Sequence, residues 1–433
     1  MKDKGMLPKV LVVDVNAWRD DAGSNTLKDI FKCWDPDRLA LIYTSSQLPS
    51  TDVCHNYFQI SENQVLKSVF HPTMRVGQVV ENALVNDSED AQEERERYTK
   101  AHKNHSKWMR LAREIVWKIG HWQTQALRQF VQDFNPDVIF VPIFPNAYMG
   151  RIQEYVIKLT GKPTVCYLAD DNYSYDACQD WIDYVHRFWT RQYVGPLARN
   201  SKQMFVIVDK EKEDTDERFG TDSVILTKGI DFNKRPFVER TQNKPLRFVY
   251  TGGLIIGRDK TLAQVADAIN NVNTEAGETL AEFFIYSQHQ PSKNINAHIN
   301  VGAAHYCGSV PHQEIKAIQE QADVMVFAEA LEGKEANIAK LSFSTKITDY
   351  LASGKCVLAI GKKDIAPIDY FQRNNSALIA STKEDVNEKV RVIIEQPEII
   401  NKYGKAAYEC AVRNHDNRMM EERLINTMIK AIQ

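Results

Sequence analysis

An apolar, mostly β-branched run near the start of the chain, Val10–Val13 within Lys9–Asp14 (KVLVVD), constrains the fold more than any other feature. A strand that is apolar at every position, not every second one, is buried on both faces, as in a parallel sheet covered by helices. The pattern continues with a loop at Asn16–Ser24, a helical stretch from about Ser24 to Phe31 and a second strand at Leu39–Tyr43. That βαβ opening predicts an α/β domain. Further strands are expected at Val138–Val141 (VIFV), Thr164–Leu168, Gln203–Val208 and Ser223–Leu226, and helices at Asn63–Val69, Arg75–Asn86, 147–159 and Ile182–Ala198. Trp108–Phe134 reads as one amphipathic helix, with Trp108, Leu111, Ala112, Ile115, Val116 and Ile119 as its apolar stripe.

Residues 233–246 (NKRPFVERTQNKPL) are polar, carry two prolines and have no period, which reads as an interdomain linker. The α/β pattern then restarts. Strands are expected at Arg247–Tyr250, Glu282–Tyr286, His305–Tyr306, Val324–Phe327 and Val357–Ile360, and helices at 259–272, 312–321, Thr345–Ala352 and through most of 398–432. The fold class is therefore α/β with two Rossmann-like domains facing a central cleft. We divide it as 1–232, 233–405 and a C-terminal helix, 406–433, packing back toward the first domain.

Composition excludes some functions. The chain has 433 residues, 43% of them hydrophobic and 26% charged, with a net charge of −3. That lacks the basic surplus of a nucleic-acid binder, so no nucleic-acid partner is expected. The seven cysteines are dispersed, without a C-x-x-C pair, and read as reduced thiols. No run approaches the roughly 20 apolar residues of a spanning helix. A cytoplasmic protein is expected, at most peripheral at the inner face of a membrane.

Two segments carry chemistry. Phe248–Arg258 (FVYTGGLIIGR) puts Gly252 and Gly253 just after a strand, where backbone can approach a phosphate, with Arg258 beyond to neutralise a diphosphate. The alternative is a tight turn with a surface arginine. In Phe343–Leu358 (FSTKITDYLASGKCVL), Ser344 and Thr345 begin a helix whose amides and dipole suit an anion, and Lys346 adds charge. Asp349, one turn on, can accept hydrogen bonds from a ribose diol. The alternative is a capped helix with an incidental charged face.

S-T-K-x-x-D-Y-L-A-S-G-K-x-V-L resembles the donor-site helix of GT-B glycosyltransferases, especially the family 4 type of bacterial polysaccharide clusters. F-V-Y-T-G-G-L-x-x-G-R-D-K-T-L is similar to the opening of their C-terminal domain, and Ser223–Phe232 (SVILTKGIDF) to the segment before their interdomain crossing. The resemblance implies that Gly252, Gly253, Arg258, Ser344, Thr345 and Lys346 hold the donor diphosphate and Asp349 its ribose. Two positions depart from the family. Leu341 stands where it has a sugar-contacting glutamate, for which Glu329, Glu332 or Glu335 could substitute. Gly253 stands where it has an arginine.

On the N-terminal side, Gly23 falls where the family has a glycine loop, with an exposed turn as the alternative. Asp170 and Asp171 follow a core strand and could serve as the catalytic base, beside Arg258 as catalytic cation, or simply cap the next helix. His186, Arg187 and Arg191 share one face of that helix and could reach a cleft, or form a solvated basic face. The segment 107–122 combines Trp108, Trp117 and Trp122 with basic residues, and could rest on an anionic lipid surface or pack into the core. Neither Asp20-Asp21 nor Asp170-Asp171 reads as a metal motif, and no metal or other cofactor is expected. The expected partners are a nucleotide-sugar donor and a glycan or lipid-linked acceptor. The expected reaction is retaining glycosyl transfer in polysaccharide, capsule or O-antigen synthesis. The rival readings are a sugar-nucleotide 2-epimerase and a non-catalytic GT-B subunit.

Overall fold

The computed structural model describes residues 7–20, 26–71, 73–81 and 107–433. They form two compact units, one from Met1–Ile207, Lys212–Leu226 and Glu421–Gln433, the other from Val208–Glu211 and Thr227–Met420. Residues 233–246 thus fall inside the second unit, and the C-terminal tail is shared between the two.

The first unit opens with β1 (Val10–Val13), α1 (Thr26–Ile30), β2 (Leu39–Tyr43), β3 (Asn56–Gln59), α2 (Glu62–Phe70) and β4 (Gln78–Val80). It continues with α3 (Lys107–Ile119), α4 (Gln125–Phe134), β5 (Val138–Pro142), α5 (Ala147–Thr160), β6 (Thr164–Leu168), α6 (Trp181–Asn200), β7 (Gln203–Val206), α7 (Asp209–Phe219) and β8 (Val224–Ile225). The strands form one sheet in the order β4-β3-β2-β1-β5-β6-β7-β8, parallel except for the β3/β4 pair. The order reverses between β1 and β5, the place where open α/β sheets offer a crevice. Here the crevice is plugged: the buried Gln153 amide of α5 donates to the carbonyls of both Val13 (3.2 Å) and Pro142 (2.7 Å).

Three expectations are corrected. The helix expected at Arg75–Asn86 is, in its described part, the short antiparallel edge strand β4, while residues 82–86 lie outside the described residues. The helix expected over Trp108–Phe134 is two helices. Gly120, packed so closely on Val65 that a side chain would collide, ends the first, and the Thr124 hydroxyl caps the second by accepting from Leu127 N. The expected apolar stripe of α3 is mostly outward: Trp108, Ile115 and Ile119 are exposed, and Leu111, Glu114 and Trp117 are the buried residues. Glu114 faces inward because it has work there. It accepts from Ala147 N (2.8 Å) at the start of α5 and pairs with Arg151 (3.0 Å). A buried carboxylate is tolerated when it is paired and hydrogen-bonded.

The second unit runs β9 (Leu246–Thr251), α8 (Arg258–Ala276), β10 (Ala281–Tyr286), α9 (Lys293–Ile299), β11 (Ala304–Gly308), α10 (His312–Glu320), β12 (Val324–Ala328), α11 (Thr345–Ala352), β13 (Cys356–Ile360), α12 (Ala366–Asn374), β14 (Leu378–Ala380), α13 (Lys383–Glu395) and α14 (Glu398–His415). A last helix, α15 (Asn417–Ile432), ends the chain. The sheet is all parallel, in the order β11-β10-β9-β12-β13-β14, the doubly wound order of a Rossmann fold. Its reversal point lies between β9 and β12. There Val324 registers with Phe248 and Met325 with Val249, and both strands run on beyond their last pair. The carboxyl ends therefore diverge, and this crevice is where the glycines lie.

Asp14, at the end of β1, is fully enclosed. It accepts from the amides of Val15 and Asn16 and from Trp18 Nε1, yet burial outweighs these bonds and pushes its carboxyl up to about 6. The folded chain then holds a proton that the unfolded chain has already lost, so stability contributed below pH 4 is lost as pH rises through 4 to 6. The shift corresponds to roughly 3 kcal/mol. Asp14→Asn, which keeps an acceptor without the charge, should flatten the melting temperature across that interval. An unchanged slope in melts taken from pH 4 to 7 would refute this origin.

Candidate functional site

Thr251 ends β9, and the chain then turns through Gly252–Gly257 into α8. The turn is tight: Ile256 and Gly257 both have left-handed backbone, with φ of 59° and 74°. A β-branched residue adopts that conformation only when its surroundings impose it, at a cost of about 1–3 kcal/mol. The result sets Arg258 at the first turn of a 19-residue helix whose N-cap is a glycine.

From β12 comes the matching carboxylate. Glu329, the residue after the strand, is 4% exposed and takes Arg258 as a fork, Nε to Oε2 and Nη2 to Oε1, both at 2.8 Å. Its backbone carbonyl accepts from Thr261 of α8 at 2.9 Å. Of the three glutamates considered as substitutes at Leu341, only Glu329 makes this pair. Glu332 is exposed, and Glu335 approaches Gly257, where a Cβ would lie 2.9 Å from its carboxylate. Leu341 itself is a buried core residue.

α11 supplies the other wall. Ser344 is its N-cap, the hydroxyl accepting from Lys346 N at 3.4 Å, and Thr345 is its first residue. The Lys346 ammonium lies over Gly252, only 2.8 Å from where a Cβ there would sit. Lys346 is exposed by surface area, but protein crowds its ammonium on several sides. That desolvation and then the Arg258 charge hold it below the ordinary lysine range, with Glu329 opposing. Tyr350, fully buried, fills the end of β9: its hydroxyl lies 3.0 Å from Thr251 Oγ1 and 3.4 Å from Thr251 N.

Several expected roles change. The Gly252 amide does not point at a ligand, because it donates to Tyr286 O (3.0 Å), and the glycine matters for close approach instead. Gly253 lends its carbonyl to the Tyr250 hydroxyl at 2.8 Å. Asp349 is gripped through both oxygens by Lys228 at 2.8 Å, a lysine inside the SVILTKGIDF segment to which the sequence reading gave no role. The carboxylate keeps lone pairs for a further donor.

In the first unit, Asp171 is a loop pin. Its carboxylate accepts from Tyr173 N, Ser174 N and the Ser174 hydroxyl, which leaves it poorly placed to act as a base. Asp170 accepts through its carbonyl from Asn172 N. Arg187 donates to Asp171 O (2.7 Å), and Arg191 donates to Tyr173 O (3.3 Å) and stacks on the Tyr173 and Tyr175 rings. Both arginines brace the 170–175 loop instead of forming a free basic face. His186 turns inward, 3.6 Å from Glu114. Gly23 lies outside the described residues. Among the described residues no three His, Cys, Asp or Glu side chains group as metal ligands.

The arrangement belongs to a known architecture. The chain has an α/β fold of two parallel-sheet units, matching GT-B glycosyltransferase structures. HepE from Anabaena, solved with UDP and glucose, aligns at a TM-score of 0.60 and 10% identity over 98% of this chain and 99% of its own. Sucrose-phosphate synthase from Thermosynechococcus elongatus aligns at 0.59 and 9%, over 96% and 97%. The pneumococcal O-GlcNAc transferase GtfA, solved with UDP and GlcNAc, aligns at 0.57 and 11%, over 98% and 99%. Residues 278–426, which run from before β10 into α15, match the family model described as glycosyl transferase-like. No curated protein sequence matches the chain significantly.

Removing one partner of the Arg258–Glu329 pair strands the other charge, which costs about 3 kcal/mol or more at a buried site. Arg258→Ala should lower the melting temperature by several degrees, and Arg258→Ala with Glu329→Gln should recover much of the loss. Equal melts for the single and double variants would show that the pair is not coupled in this way.

Proposed function

We propose that the chain is a glycosyltransferase that moves a sugar from a nucleotide-diphosphate donor to an acceptor hydroxyl. One observation carries this reading: at the diverging ends of β9 and β12 the Lys346 ammonium lies over Gly252, while Glu329 holds the Arg258 guanidinium at the same strand ends, and burial followed by the Arg258 charge lowers the Lys346 pKa. Like charges brought together are relieved by an anion between them, and the N-termini of α8 and α11 add partial positive charge there. A diphosphate fits that field. Asp349, oriented by Lys228, would accept from the ribose hydroxyls.

In the reaction, the C1–O bond to the diphosphate breaks as the acceptor oxygen bonds to C1, and the acceptor proton leaves to a base. Arg258, Lys346 and the helix termini would stabilise the charge growing on the leaving phosphate, the electrostatic task a metal performs elsewhere. The matched family model and the UDP and sugars bound in HepE and GtfA support a UDP-sugar donor. A family 4-like, retaining and metal-independent enzyme of polysaccharide, capsule or O-antigen synthesis follows from the resemblance of the α11 and β9–α8 motifs. A lipid-linked acceptor would station the enzyme in the cytoplasm at the inner face of a membrane, with 107–122 as the contact.

A second reading has an observation of its own. Arg258 is already paired with Glu329 and Asp349 with Lys228, the state expected of a GT-B subunit that binds no donor. A thermal-shift panel of UDP, GDP, dTDP and their sugars separates the two. A ligand at 100 times its Kd stabilises by about 2.7 kcal/mol, so one nucleotide should raise the melting temperature selectively. Gly252→Ala, whose Cβ would meet the Tyr250 hydroxyl at 2.7 Å and the Lys346 ammonium at 2.8 Å, should abolish the shift. A flat response of the native chain to every nucleotide would reverse the preference.

A further inference from the structure

β10 ends at Tyr286, and the chain then passes through residues 287–291 before Ser292 caps α9. β9 and β10 stay in register to their last residues, Thr251 against Tyr286, and the Gly252 amide donates to Tyr286 O across the step. The residues just beyond the two strands are therefore neighbours. That register lays the imidazole of His289 against Gly253: Nδ1 and Cε1 both lie 3.3 Å from where a Cβ on Gly253 would sit. Gly253 is outside the left-handed region of backbone space, so its own conformation does not call for a glycine. The ring does, because it stands in the path that a side chain at 253 would take.

The ring is aimed there by its backbone. His289 N donates to the Ser287 hydroxyl (3.1 Å), and His289 O accepts from the Tyr306 hydroxyl of β11 (3.1 Å), which also reaches Ser287 O (3.3 Å). The imidazole has no hydrogen-bond partner among the described residues, although its Nδ1 is enclosed by protein. Buried polar atoms in folded proteins are nearly always satisfied, and an exception calls for an explanation such as a functional role. A structural histidine would use its nitrogens to hold the fold. Here the backbone holds the loop and the side chain is left over.

We infer that His289 is a donor-site residue whose imidazole hydrogen-bonds the diphosphate of the nucleotide sugar, in the place where the family resemblance puts an arginine at 253. This rests on the transferase reading given under Proposed function. Two successive glycines carry two successive polar groups, the Lys346 ammonium over Gly252 and the His289 ring over Gly253. Both stand at the carboxyl end of β9, where Glu329 also holds Arg258. An anion lying along the glycine turn would meet an ammonium at one residue and an imidazole N–H at the next. A phosphate oxygen is ionised, so a bond to it is charge-assisted whether the ring is neutral or protonated.

Titration of the full chain with UDP, GDP and dTDP tests this, each diphosphate that binds the native chain being carried to the variants. His289→Ala should raise the Kd about tenfold or more. Its melting temperature without nucleotide should stay at the native value, since the ring makes no hydrogen bond in the fold. Gly253→Arg should also weaken binding, because its side chain meets the ring. Gly253→Arg with His289→Ala clears the ring and puts a guanidinium in the same place, and should bring the Kd back to within about threefold of native. An unchanged Kd in His289→Ala would overturn the inference and leave the transferase reading standing. A loss that the double variant does not recover would overturn it too, by assigning the ring to shaping the turn. If no diphosphate binds the native chain, the transferase reading falls and takes this inference with it.

Discussion

The ion pair between Arg258 and Glu329 holds the second unit's site together. It spans the gap where β9 and β12 part, so it ties the two strands that the hydrogen-bond ladder no longer joins. The strained Ile256–Gly257 turn delivers Arg258 to that gap, and Lys346 approaches from α11 on the other side. A buried pair of this kind contributes little net stability, because desolvating both ions offsets most of their attraction. Its value lies in specificity of position. It fixes a guanidinium at the mouth of the crevice.

The strands were legible in the sequence because burial on two faces leaves a plain signature. Val10–Val13, Val138–Val141 and Val357–Ile360 are apolar throughout, and β1, β5 and β13 match or run one residue past them. Edge elements carry no such mark. β4 has two exposed residues out of three and β14 has only three residues, so neither shows a period to read. The break between α3 and α4 was hidden for another reason. It depends on Val65 of α2 crowding Gly120, a contact between residues far apart in the chain.

The site divides along the same line. Local chemistry was visible: a glycine turn after a strand, an arginine beyond it and a Ser-Thr-Lys helix start. Pairings were not. Nothing near Glu329 or Lys228 in the sequence announces that one will take Arg258 and the other Asp349, since each partner comes from another part of the chain. The first unit shows the opposite error. Asp171, Arg187 and Arg191 have the residue types of a catalytic cluster, yet they close on one another and on loop backbone. Helical periodicity in α3 was real, but periodicity tells only that one face differs from the other. Which face turns inward was decided by Glu114, recruited to cap α5.

The Gln153 amide in the first unit gives the shared topology a further meaning. Each sheet reverses its strand order beside its own first strand, and open α/β sheets bind ligands at such a step. In the first unit one side chain bolts it, spanning the carbonyls of Val13 and Pro142. With that step filled by its own side chain, the first unit has only its loops and helices with which to hold a ligand.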